Sequence, residues 1–215
     1  MDVQNFYEHY FRDDPSTQLG DEEGTFVERL AWFAPRVPRG AVLLDYGCGD
    51  GVMLAALAER GALLHPDSCG VDISQNAIRK AAKRFPALRW LKADLDKPLP
   101  LAGGIFDCVV ASDVIEHVFD TDGMLREIHR LLKPGGILLL SCPYHGPLKD
   151  LVLLIGNQMD NHYRDPYSDH IRYFSTKTLK RVLHNNHFVV RECGGVGRIP
   201  WIWTNSMVLA EKPAP

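Results

Sequence analysis

From residue 41 onward the chain alternates short β-branched or leucine-rich runs with longer stretches whose apolar residues return at helical spacing. Short runs that are apolar almost throughout suit strands buried on both faces, and the longer stretches suit amphipathic helices. The predicted strands are "AVLLDY" (41–46), "SCGVDI" (68–73), "LRWLKA" (88–93), "FDCVVAS" (106–112) and "GILLLSC" (136–142). Between them "GVMLAALAER", "SQNAIRKAAKRF" and "TDGMLREIHRLL" predict helices, the second capped by Ser74 and the third by Thr121 or Asp122. "LKPGG" stops the third helix with proline and glycine. Strands alternating with helices in this way predict parallel βαβ units covered by helices on both faces.

After Cys142 the rhythm breaks, and residues 143–174 pass before "STKTLKRVLHNNHF" resumes a helix with Ser175 as its cap. A connection that long reads as a lid or substrate insertion between the fifth strand and the last helix. The finish, "HFVVRECGGVGRIPWIWTNSMVLAEKP", predicts an antiparallel hairpin added to the sheet edge. At the other end, residues 1–38 read as a helical cap, with Phe6, Tyr7, Tyr10 and Phe11 near one side of a short helix. The expected fold class is therefore α/β, a doubly wound, mostly parallel sheet in one domain spanning 1–215.

Composition narrows the partners. At 215 residues and 46% apolar content the chain supplies one ordinary core. A formal net charge of −3 creates no global basic field, which disfavours nucleic acid as a partner. The five cysteines are odd in number and widely spaced, and they are expected to be reduced core thiols. The acidic, aromatic N-terminus lacks the order of a secretory signal, and no apolar run is long enough to span a membrane. A cytoplasmic location is the expectation.

Candidate chemistry begins with "LLDYGCGDGVML" (43–54), where Gly47, Gly49 and Gly51 fall in the first strand-to-helix turn. In an open parallel sheet that turn floors the ligand crevice. A dinucleotide fingerprint would place its third glycine where Val52 stands, and no Gly-Lys-Ser/Thr follows for a phosphate loop. Asp72 ends the second strand, where a carboxylate can accept from both hydroxyls of a ribose. Asp94 ends the third, where it can accept from an exocyclic amine while the N–H of Leu95 meets a ring nitrogen. Together these suit adenosine.

The ordered set "LLDYGCGDG", "VDIS", "ADLDKPLP", "FDCVVASDVIEHV" and "REIHRLLKPGGILLLSCP" resembles the successive motifs of class I S-adenosylmethionine-dependent methyltransferases across residues 40–143. The resemblance implies a Rossmann-like seven-stranded sheet and S-adenosyl-L-methionine as cofactor, leaving as S-adenosyl-L-homocysteine. It places Asp45, Gly47, Cys48, Gly49 and Gly51 at the methionine end, Asp72 and Ile73 at the ribose, and Asp94 and Leu95 at adenine. Ser112, Asp113 and His117 would lie beside the sulfonium and the acceptor, with Asp113 a catalytic candidate. In related enzymes an N-terminal segment folds over the cofactor; an aromatic staple packed on the domain is the other reading of the cap.

Outside those motifs the candidate bases are His145 and His170, while His162, His184 and His187 read as surface residues. No histidine pair has HxxxH or HExxH spacing, so no metal site is expected. The apolar stripe Leu148, Leu151, Val152, Leu154 and Ile155 predicts a helix that covers a hydrophobic acceptor or packs on the sheet. The expected activity is methyl transfer to oxygen or nitrogen of a small, partly apolar molecule. Its rivals are a methyltransferase of tRNA or protein and a non-catalytic cofactor-binding regulatory module. Monomer and homodimer stay equally open.

Overall fold

The computed structural model describes residues 3–11, 23–60, 65–164 and 168–214. Parts of the predicted cap and lid, at 12–22 and 165–167, lie outside the described residues. The seven strands are β1 (Leu43–Tyr46), β2 (Cys69–Asp72), β3 (Arg89–Lys92), β4 (Phe106–Ser112), β5 (Leu132–Pro143), β6 (Val189–Val196) and β7 (Asn205–Glu211). They form one sheet in the order β3-β2-β1-β4-β5-β7-β6, parallel except for β7, which runs antiparallel to both β5 and β6. Strand order therefore reverses between β1 and β4, and a crevice opens beyond their carboxyl ends.

Alternation along the strands fills two cores. Leu43, Cys108, Val110, Leu139 and Met207 face one side of the sheet, with Leu30 and Phe33 of α2 (Glu23–Phe33) and Met53, Leu54 and Leu57 of α3 (Val52–Glu59). Leu44, Tyr46, Val109, Ala111, Leu138 and Leu140 face the other. There they meet Met124, Leu125 and Ile128 of α5 (Thr121–Leu131) and Leu179 and Leu183 of α8 (Thr176–Asn185). The period of two along each strand thus satisfies both faces at once. Four of the five cysteines are buried and none is paired.

Local signals set most element ends. Ser74 caps α4 (Gln75–Arg84) through the Ala77 N–H, and Ser175 with Thr178 forms a capping box on α8. For α5 the cap is Asp120, whose carboxylate accepts from the Gly123 N–H at 2.8 Å. The expected caps fall one and two residues late: Thr121 is buried and Asp122 accepts from Asn186 Nδ2 instead. β5 also starts earlier than its glycines suggest, because Leu132 pairs with Phe106 before the ladder resumes at Cys108 and Ile137. The intervening "KPGG" bulges out, with Gly135 at φ 77°.

The insertion carries α6 (Pro147–Ile155) and α7 (Met159–Tyr163). Its two ends meet in a neck, where Tyr144 bridges Phe174 and the His145 N–H donates to the Phe174 carbonyl at 3.1 Å. The helix expected from its apolar stripe forms, but the stripe does not pack on the sheet. Leu148, Leu151, Val152, Leu154 and Ile155 are all exposed, and the residue α6 buries is Lys149. At the N-terminus α1 (Val3–Tyr10) docks on the start of α4: Glu8 accepts from the N–H groups of Gln75 and Asn76 at 2.8 and 3.0 Å. Two donors that α4 cannot satisfy internally are thereby paired, next to a helix end that favours negative charge. Among the described residues no helix is long and apolar enough to cross a membrane.

Candidate functional site

A cavity of about 590 Å³ occupies the crevice beyond β1 and β4. Its floor is the first strand-to-helix turn, where Gly47 and Gly49 take φ 76° and 52°. A Cβ at Gly47 would stand 2.5 Å from Val114, so this position admits only glycine. Gly51, at φ 84°, lies elsewhere: it caps α3 and abuts the Trp90 ring, which a Cβ would meet at 2.5 Å. Its absent side chain serves helix-to-strand packing, and Gly51 is not part of the cavity wall.

Asp72 reaches the cavity with both carboxylate oxygens already organised. One accepts from the Gly49 N–H at 2.9 Å and the other from the Ser74 N–H at 2.8 Å. Burial pushes its pKa up while those N–H groups pull it down. Each oxygen keeps a lone pair for a further donor. Ile73, Asp94 and Leu95 continue the wall. The ion pair with Lys97, helped by the Asp96 N–H, holds Asp94 below the usual carboxylate range, so it is a ready acceptor for an exocyclic amine. Asp45 and Cys48, by contrast, are buried behind the turn and do not line the cavity. Burial raises Asp45 to about 7, and one of its oxygens has no hydrogen-bond partner.

At the other end the cavity meets the turn after β4 and the insertion. Ser112 and His117 line it as expected, Ser112 sharing a hydrogen bond of 3.1 Å with Ser141. Asp113 lines it too, with its carboxylate held by three partners. It pairs with Arg29 and accepts from Ser141 Oγ and Asn205 Nδ2, each at 2.8 Å. That arrangement anchors α2 to β5 and β7.

The structure separates the two candidate histidines. His170 lines the cavity, whereas His145 sits behind the wall, 6% exposed, with Nδ1 hydrogen-bonded to the Tyr163 hydroxyl at 2.9 Å. Burial, then the Lys149 charge, lower His145 to about 3. The chain direction after β5 did suggest a crevice-facing residue; the neck at Tyr144 and Phe174 turns the imidazole under the insertion instead. His162, expected at the surface, is half-buried and lines the cavity, while His184 and His187 are exposed. The sequence reading also missed Lys149, Arg29, Glu116 and Asp169, all in the wall. Lys149 donates to the Tyr144 carbonyl at 2.7 Å, and burial lowers its pKa to about 8. Only the adjacency of Glu116 to His117 in "IEHV" offered a signal for any of them.

The depressed His145 has a consequence for stability. Between about 3 and the unfolded value of 6.5 the unfolded chain binds a proton that the folded chain refuses. Stability is therefore expected to fall as pH drops through 6.5, and the His145→Asn variant to lose less. Thermal unfolding of both proteins at about pH 7 and about pH 5 measures the difference. Equal losses would mean that His145 does not titrate this way.

Comparisons with known proteins agree with this geometry. A family model described as a methyltransferase domain matches residues 20–192. An uncharacterised methyltransferase of Mycobacterium bovis is 42% identical over 106 residues, covering 47% of this chain and 51% of that protein. The ubiquinone biosynthesis O-methyltransferase of Pseudomonas paraeruginosa is 31% identical over 133 residues, covering 60% and 56%. The match thus spans about half the length of these curated relatives. Among solved structures, a chain of the complex between the Haloferax volcanii Trm112 methyltransferase activator and a putative methyltransferase superposes with TM-score 0.72 at 19% identity, covering 96% and 97% of the two chains. Magnesium protoporphyrin IX methyltransferase from Synechocystis, solved with S-adenosylhomocysteine bound, gives 0.66 at 21% identity, covering 97% and 93%. Those two likenesses concern the fold. The sheet order, the glycine turn beside Asp72 and the family match lead to one assignment: the chain belongs to the class I S-adenosylmethionine-dependent methyltransferases.

Proposed function

We propose that this chain transfers the methyl group of S-adenosylmethionine to an oxygen or nitrogen atom of a small, partly apolar molecule. The observation that carries the reading is the continuity of the cavity. One space runs from Gly47, Gly49, Asp72 and Asp94 to Lys149, His162 and His170, so cofactor and acceptor share a room with no partition. Its volume falls within the range that holds small ligands.

Bound at the glycine turn, the cofactor supplies an electrophilic methyl on a cationic sulfur. The protein's part is chiefly to hold the acceptor atom in line with it. Asp72 and Asp94 fix the adenosine, and Phe11 lies over Gly49, its ring 3.2 Å from where a Cβ would be. Tyr7, Tyr10 and Phe11 give the roof an aromatic surface, while Lys149, His162 and His170 offer donors and acceptors for the acceptor's polar group. In the transfer the acceptor's lone pair would form the new bond while the C–S pair returned to sulfur, and the acceptor's proton would pass to water. A net charge of −3, with acidic and basic residues mixed along the chain, supports a small acceptor over a polyanion.

Methyl-labelled S-adenosylmethionine, incubated with the protein and a cell extract divided into small-molecule and macromolecular fractions, tests this. Label is expected in the small-molecule fraction. Label confined to RNA or protein would replace the reading with its macromolecular rival, and label in neither would favour the binding-module rival.

A further inference from the structure

Of the three catalytic candidates expected from the sequence, His145 lies outside the cavity and Asp113 is held by three partners. The third, His170, stands in a cluster of a different kind. Its ring lies 4.9 Å from that of His117, and His170, His117 and Glu116 each offer a ligand atom within 4.8 Å of the others.

Glu116 is 1% exposed, and neither carboxylate oxygen accepts a hydrogen bond from another residue. A buried carboxylate left in that state is costly unless it is protonated or a cation meets it. His117 Nε2 stands 3.8 Å from Glu116 Oε1. His117 Nδ1 faces the Asp169 carbonyl at 3.1 Å, and a carbonyl only accepts, so Nδ1 carries the proton. With Nδ1 committed, the lone pair is on Nε2, the nitrogen beside Glu116. An imidazole whose second nitrogen donates to a carbonyl or carboxylate is how proteins prepare a metal ligand. His170 is held in register by the backbone: the N–H groups of Ile171 and Arg172 donate to the Glu116 carbonyl at 3.0 and 3.2 Å.

We infer that Glu116, His117 and His170 form a divalent transition-metal site at the acceptor end of the cavity. Two imidazoles and one carboxylate suit Zn²⁺, Co²⁺ or Fe²⁺ better than Mg²⁺ or Ca²⁺, which prefer all-oxygen shells. An ion about 2.1 Å from each ligand holds the ligand atoms about 3 to 3.5 Å apart, so the cluster closes slightly as it fills. Three protein ligands leave coordination positions open, and all three residues line the cavity. The role of the ion rests on the acceptor reading above: an open position would take an acceptor oxygen and favour loss of its proton to water, without a side-chain base. The site itself does not depend on that reading.

Titration of the full chain with Co²⁺, read by visible d–d absorption and by calorimetry, tests the site without any methyl transfer. One equivalent is expected, without a sulfur-to-cobalt charge-transfer band. Glu116→Gln and His170→Ala should each weaken binding at least tenfold, and His162→Ala should leave it unchanged. His170 is on a partly exposed loop, so its variant keeps the test available if the buried glutamine prevents folding. Absence of stoichiometric binding, a thiolate band, or affinity that survives both substitutions would overturn the site. Metal binding without label in any fraction would leave the site standing and remove only the acceptor reading.

Discussion

Replacing Asp72 with alanine is expected to weaken S-adenosylmethionine binding by about 1.5–3 kcal/mol, roughly ten- to 150-fold in dissociation constant. The loss has two sources. Charge-assisted bonds to the ribose hydroxyls disappear, and the N–H groups of Gly49 and Ser74 lose the carboxylate that organises the glycine turn against α4. Asp72→Asn keeps an acceptor oxygen for one of these tasks and should fall between wild type and alanine. Calorimetry on all three proteins measures the series. An alanine variant with wild-type affinity would contradict the ribose assignment.

The second large effect concerns stability. Asp113→Ala should cost about 3 kcal/mol in urea unfolding, the lower end for a broken buried pair because Asp113 keeps a quarter of its side chain exposed. Arg29, only 8% exposed, would be left without its counter-charge, and Ser141 and Asn205 would lose their acceptor. Alanine would also inherit φ 55°, a left-handed conformation that aspartate and asparagine tolerate better, adding about 1 kcal/mol. Asp113→Asn should recover the backbone part and the Ser141 bond while still leaving Arg29 unneutralised. Unchanged stability with lost turnover would instead restore Asp113 as a catalytic candidate.

The contrast between the two aspartates marks what the sequence could disclose. Asp72 was legible as a cavity residue because its place depends on position: it ends a strand at a fixed distance from a glycine turn, and the parallel sheet turns that distance into proximity. Gly47 and Gly49 are legible for the same reason, as are the strands, the helices and the caps Ser74 and Ser175. Gly51 satisfied the same pattern yet serves Trp90, since glycine is equally required wherever a ring approaches backbone. The acceptor end was poorly legible because it is assembled from remote segments. Glu116 meets His170, and Glu8 meets α4, through tertiary contacts that leave no local period. The stripe of α6 misled for a further reason. Apolar spacing predicts a buried face only when something covers it, and here the covered residue is Lys149, held by the Tyr144 carbonyl.

The neck formed by Tyr144 and Phe174 bears on how such a fold diversifies. Both ends of the insertion are fixed beside each other at the sheet, so the chain between them closes a loop whose entropy changes only slowly with length. Segments of other lengths and compositions can be grafted there while the cavity wall at the ends of β1, β2 and β3 goes undisturbed.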